Sequence, residues 1–163
     1  MAKIISKRVC AEIDGPFVLF MIGARINKPW KLKVVGPFLA TMPRMIRELT
    51  ANPELGLLHV RQHFGPTSAT LVQYWRSFEH LEAYARAPDH AHLPAWQWFN
   101  QQLGSNGDIG IWHETYLVQP GCYENIYNNM PPHGLGAAGK LVDAVGARQS
   151  AHQRIKAAAG IAA

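Results

Sequence analysis

The stretch FVLFMIGARI, Phe17 to Ile26, limits the possible folds of this chain more than any other segment. A strand with apolar residues at alternate positions can leave one face in water. This one is apolar at both parities, so both faces need cover and the strand belongs inside a sheet. Gly15-Pro16 punctuates it in front and Asn27-Lys28-Pro29 ends it. Leu57 to Phe64 reads as a second strand, with Leu58, Val60, Gln62 and Phe64 on one face and His59, Arg61 and His63 on the other, a pattern that suits an edge. Gly65-Pro66-Thr67-Ser68 turns the chain into a third strand over residues 69–76 and closes a hairpin.

Helical signals fill the gaps. A helix is expected over residues 37–51, where Phe38, Met42, Met45, Ile46 and Leu49 follow the helical period. Pro37 suits its first turn, Gly36-Pro37 separates it from a short helix or turn at residues 30–35, and Pro43 predicts a kink. Ser77 is placed to cap a helix over residues 78–86, although His80 stands where a capping-box Glu would reach back. An aromatic helix should start near His90 to Pro94 and end near Leu103-Gly104, followed by a turn at Ser105-Asn106-Gly107-Asp108. The last strand is GDIGIWHETYLVQP, residues 107–120, which reads as buried on both sides.

The resulting order, β–α–β–β–α–α–β, is that of an α+β protein with a mostly antiparallel sheet, and a split βαβ of this kind is ferredoxin-like. Helices cover one sheet face. Apolar residues on the other face call for a second copy, so a two-fold homodimer is expected. One domain is expected over residues 1–139, with no second core, and residues 140–163 form an Ala-rich extension expected to be helical.

Charge and cysteine usage bound the partners. The chain has a net charge of +5, but its cations are spread along the sequence apart from small groups at Lys3, Lys7 and Arg8 and at Arg25, Lys28, Lys31 and Lys33, and no dense patch with interleaved aromatics forms, so no nucleic-acid partner is expected. The apolar run at residues 17–26 is too short to span a bilayer, and no membrane partner is expected. Acidic Glu12 and Asp14 precede that run, unlike a secretory signal. Cys10 and Cys122 have no metal-ligand spacing and make no disulfide framework, which points to a reduced, cytoplasmic setting and no metal.

Five segments in order, ATMPRMIREL, LVQYWRSFEHLEAYAR, HLPAWQWFNQQLG, DIGIWHETYLV and YENIYNNMPPHGLG, resemble a monooxygenase-like family related to a fungal terpenoid-pathway oxygenase. The resemblance covers residues 17–139 and implies a dimeric α+β barrel. That wider group includes cofactor-free oxygenases, haem-degrading enzymes, haem-containing dehydratases and ligand-binding proteins without catalysis, and fold does not choose among them. It implies a monooxygenase acting on an apolar or aromatic small molecule. A haem enzyme of the same fold and a non-catalytic ligand-binding dimer stand as alternatives.

Candidate site residues centre on the last strand. Pleating sends His113 and Glu114 to opposite faces, so they do not form a dyad. His113 is the leading base, because imidazole titrates near neutral pH. Its other reading is a half-buried ring satisfied by a carbonyl. Glu114, Tyr116 and Arg25 are candidate catalytic supports, with an ion pair from Glu114 to Arg25, Arg61 or Arg76 as the competing expectation. Trp75, Trp96, Phe99, Met42 and Met45 are candidate substrate contacts, and equally plain core. His92, four residues before Trp96, is the cofactor ligand only if haem is bound. Tyr123, Asn125, Tyr127, Asn128 and Asn129 are expected to meet a partner subunit or close a pocket. With no GxGxxG, P-loop or GxSxG present, the cofactor is expected to be none or haem.

Overall fold

The computed structural model describes residues 3–160 apart from 103 and 105. The basic lead-in forms β1 (Ile5–Glu12). After the Gly15-Pro16 break, β2 (Phe17–Ile26) takes the interior position its composition requires. It lies in an antiparallel sheet of order β3-β4-β2-β5, made with β3 (Leu57–Phe64), β4 (Ser68–Trp75) and β5 (Ile109–Val118). Helix α1 (Leu32–Ala51) joins β2 to β3, while α2 (Phe78–Arg86) and α3 (His92–Gln102) join β4 to β5. This is the ferredoxin-like α+β arrangement.

Register defines the two faces. Val60, Gln73, Phe20 and Thr115 form one row across the four strands, and Gln62, Leu71, Ile22 and His113 the next. These rows face the helices. Above them Val18, Leu49, Trp75, Leu81 and Tyr84 pack into one buried cluster, and Val35, Phe99 and Ile109 into another. Each such apolar side chain contributes about 1.5–3 kcal/mol on burial, so the helix face holds most of the fold's cohesion.

Helix α1 starts at Leu32, earlier than the Gly36-Pro37 pair suggests, and continues past both Pro37 and Pro43. Each proline withholds one N–H from the residue four back, Lys33 and Leu39. Both of those residues are exposed, so water can serve the freed carbonyls. Starting earlier also brings Val35 and Phe38 onto Phe99 and Ile109, a gain that local propensity does not see. Ser77 caps α2 as expected, its Oγ accepting from the His80 N–H at 3.4 Å. The expected helix end at Leu103 and turn residue Ser105 lie outside the described residues.

A second core, not expected from the sequence, sits on the opposite face of the main sheet. There β6 (Tyr127–Met130), β1 and β7 (Lys140–Asp143) make a three-stranded antiparallel sheet. With α4 (Leu135–Ala138) it packs Ala11, Ile13, Tyr123, Tyr127, Leu135 and Leu141 against Phe17, Tyr74 and Val118. The polar, aromatic segment before β6 is therefore spent inside its own chain. Asn125 accepts from the Ala11 N–H at 2.6 Å and donates to the Ala11 carbonyl at 2.9 Å, and Tyr123 Oη accepts from the Ile13 N–H at 3.1 Å. Past β7, α5 (Ala151–Ala158) begins with a complete capping box between Ser150 and Gln153. Its buried Arg154 bonds Glu124 and the carbonyls of Arg148 and Gln149.

Candidate functional site

Strand β5 decides where chemistry can occur. It lies at a sheet edge, hydrogen-bonded to β2 alone among the described strands. Ile109 is buried and Val118 half-buried, but residues 112–117 between them are exposed. The expectation of a strand buried on both sides is thus corrected: its apolar ends are covered within the chain and its middle is not. An edge position leaves β5 with one neighbouring strand, so side chains there keep water on their open flank.

The pleat separates His113 from Glu114. His113 pairs in register with Ile22 and faces the helices, where its ring lies 5.7 Å from that of Phe20. Reading along β2, β3, β4 and β5, His113 is the only ionisable side chain of the sheet on this face among the described residues. It falls between the two apolar clusters, with Thr115 beside it on the same strand.

A further polar group lies on this face, one the sequence reading above does not name. Gln73 is 6% exposed, and its Oε1 accepts from Trp75 Nε1 at 2.8 Å. Its amide nitrogen donates to no described residue and is free to meet a ligand. The signal was available: alternation along ATLVQYW places Gln73 between Leu71 and Trp75 on the apolar parity.

Glu114, Tyr116 and Arg25 share the other face. The Tyr116 hydroxyl donates to Glu114 Oε2 at 2.7 Å, and this bond pushes the phenol pKa above its ordinary value. The two exposed side chains satisfy each other, and Glu114 makes no ion pair among the described residues. Arg25 lies farther along, between Ser68 and Gly110 in register. Trp112 is on this face as well, its indole lying across Gly23 so closely that a Cβ there would sit 2.6 Å from Trp112 Cζ2.

The aromatic and Met candidates divide. Trp75 is 1% exposed and belongs to the first buried cluster. Phe99 is in the second, with Trp96 stacked on it at 5.7 Å and half in solvent. Met45 is buried on α1 and Met42 half-buried one turn earlier. His92 Nδ1 lies 2.9 Å from the Ala85 carbonyl, which makes Nδ1 the donor and leaves Nε2 unengaged among the described residues. Its neighbour His90 meets Glu48 Oε1 at 3.2 Å, while Glu48 Oε2 accepts from Tyr84 Oη at 2.8 Å and from the Ala91 N–H at 3.0 Å. Burial opposes the Glu48 charge, but these donors together hold its pKa below the ordinary value. Burial and then the Glu48 contact push the Tyr84 phenol strongly up. This knot ties α1, α2 and the entry to α3 together over Trp75 and Val18.

Two surface concavities of about 500 and 290 Å³ lie along the second sheet, lined in part by Arg8 and Asp143 and by Glu12 and Tyr123 respectively. Neither touches His113 or Glu114.

Fold and site together define a ferredoxin-like α+β protein whose sheet carries, among the described residues, a single imidazole on its helix-facing side, exposed on the edge strand, and a Glu–Tyr pair on its partly open side. Within that class the chain belongs to the monooxygenase af470-like family, whose model matches residues 17–135. A curated relative, monooxygenase af470 of Aspergillus fumigatus, is 31% identical over 161 residues, covering 83% of this chain. The chain spans only 55% of that relative's length. Solved structures with a similar chain course include SnoaB of Streptomyces nogalater, described as a cofactor-independent oxygenase, at 11% identity. That match covers 63% of this chain and 93% of SnoaB with a TM-score of 0.44. A conserved protein of Methanosarcina mazei matches at 16% identity, covering 61% of this chain and 91% of its own, with a TM-score of 0.45.

Proposed function

We propose that this chain is a monooxygenase acting on an apolar or aromatic small molecule without a nucleotide cofactor, and that it works as a homodimer. The observation that carries this reading is the isolation of His113 as the one ionisable side chain, among the described residues, on the helix-facing side of the sheet, between two apolar clusters in register. The family supplies the reaction class.

In this account His113 removes a proton from a weakly acidic C–H or O–H of the substrate. Phe20 and Ile22 border the carbanion or phenolate, and the Gln73 amide donates to an oxygen on it. Phe20 and Ile22 give the anion an apolar border that strengthens that hydrogen bond, and because His113 is exposed in the single chain the bound substrate itself must cover β5 to keep water from the anion. The electron-rich anion then reduces dioxygen directly. For a methylene substrate one oxygen atom enters the product as a carbonyl, and the other leaves as water with the two hydrogens the methylene gave up.

The second copy lies against the open face of the main sheet. There Leu19, Met21, Val72 and Trp112 offer an apolar middle, and Glu114, Tyr116 and Arg61 become contact residues. Covering this face from outside gives β2 the cover on both sides that its composition calls for.

The test is oxygen uptake by the purified protein with a panel of enolisable and phenolic aromatic compounds and no added cofactor, alongside an absorption spectrum. Turnover by a colourless protein supports the reading. A Soret band, with activity that follows its content, refutes it and assigns the chemistry to haem on a residue such as His92.

A further inference from the structure

The three most exposed large apolar side chains among the described residues are Phe64, Leu32 and Trp30, at 77%, 73% and 71%. They come from separate segments, yet the chain brings them to one end of the main sheet. The β3–β4 turn after Phe64 is stitched to the end of β2, the Ile26 N–H donating to the Thr67 carbonyl at 2.8 Å. The Asn27 and Lys28 N–H groups both donate to the Asp108 carbonyl, at 2.9 and 3.2 Å, which fixes the chain leading to Trp30 and Leu32 beside the turn before β5, at the same end of the sheet. These apolar tips have cationic neighbours. Arg25, Lys28, Lys31 and Lys33 lie within nine residues of each other, and the one acid in the segments at this end is Asp108. The buried Asp108 carboxylate takes Lys28 Nζ at 2.8 Å and Lys31 Nζ at 2.7 Å, leaving Arg25 and Lys33 without ion pairs among the described residues. Four cations against one carboxylate leave a surplus of three positive charges around three protruding apolar groups.

We infer that this end of the molecule docks on an anionic phospholipid surface, with Trp30, Leu32 and Phe64 entering the interface and Arg25 and Lys33 meeting headgroup phosphates. Trp at the headgroup level, aliphatic and Phe side chains below it and Lys or Arg around them is the chemistry of interfacial binding. The contact is peripheral: no described helix is long and apolar enough to cross a membrane. It also departs from the expectation of no membrane partner, because residues 25–33 show their exposure only once folded. A second copy of the chain fits this patch poorly, since a two-fold contact would set like charges against each other. The inference does not depend on the proposed oxygenase chemistry.

The test is co-sedimentation with vesicles of phosphatidylcholine and phosphatidylserine at about 3:1 against vesicles of phosphatidylcholine alone, each anionic contact adding roughly fivefold in affinity. The full chain should pellet with the anionic vesicles, and added salt should release it. The double variant Trp30→Ser with Phe64→Ser should bind at least about tenfold more weakly, and Lys33→Glu about tenfold more weakly by charge reversal. Both should melt as the parent does, because all three side chains are exposed. No pelleting with anionic vesicles, or equal pelleting of parent and variants, overturns the inference. So does a concentration-dependent self-association that the Trp30→Ser, Phe64→Ser variant abolishes, which would give the patch to a second copy.

Discussion

Replacing Gly23 by Ala tests how the open sheet face is shaped. Gly23 and Trp112 are opposed in register on β2 and β5. A Cβ at residue 23 would stand 2.6 Å from Trp112 Cζ2, with Cε2 and Nε1 nearer still. Ordinary carbon contacts are about 3.5–4.0 Å, so the indole must retreat by at least about 1 Å. Two effects compete. Ala in a strand gains roughly 0.5–1 kcal/mol over Gly through lost unfolded-state freedom. Overpacking against a rigid ring costs about 1–3 kcal/mol. Trp112 is 40% exposed, so it can swing outward, which places the cost near the lower end. The expected net loss is about 1 kcal/mol, or about 2–4 °C in Tm for a chain of this size. Urea and thermal melts of Gly23→Ala, Trp112→Ala and the double variant measure it. In the Trp112→Ala background the Gly23→Ala change should become neutral or stabilising. A Gly23→Ala protein more stable than its parent, with Trp112 in place, would refute the stacked geometry.

Three other outcomes follow from particular contacts. Arg154→Met should destabilise the protein by about 3 kcal/mol in urea melts, since it leaves Glu124 and the carbonyls of Arg148 and Gln149 without their buried donor. His59 and His133 have pKa values lowered first by burial and then by Arg61, with His133 also acting on His59 and His63 on His133. The stability that rests on their neutral rings is therefore full above the unfolded value of 6.5 and falls as the pH drops through it toward the folded pKa values; urea midpoints should decline across that window, and less so in His59→Gln. Trp75→Phe should cost about 2 kcal/mol, because it opens space in the tightest part of the first cluster and strips Gln73 Oε1 of its donor.

The sequence carried the main sheet well, and for a definable reason. Strand β2 is apolar at both parities and β3 is polar at one, so interior and edge positions follow from burial alone. The separation of His113 from Glu114 followed from pleating with equal certainty. The second sheet was not legible. Its strands β6 and β7 are four residues each, too short for a period, and they are held by long-range partners such as the Asn125 side chain on Ala11. The same loss hid the role of Tyr123 and Asn125, whose polarity suggested a partner subunit and is satisfied within the chain. The start of α1 differs from the local signal because tertiary packing of Val35 outweighs the Gly36-Pro37 break. At the site, apolar content suggested a strand β5 covered on both sides, but coverage depends on neighbours, and an edge strand has one. Gln73 is legible in the alternation of β4, but its type gives no signal among the larger aromatic residues around it.

Among all of these, the assignment of chemistry to one face of β5 is tested most directly by comparing oxygen uptake in His113→Gln and Glu114→Gln. Both side chains are exposed and both substitutions preserve size, so folding should survive in each. With His113 as the base, His113→Gln should lower kcat by about 10²–10⁴-fold. Glu114→Gln, on the opposite face and bonded to Tyr116, should leave kcat within about threefold. A Glu114→Gln protein that loses turnover while His113→Gln retains it would contradict the account and move the site to the open face of the sheet.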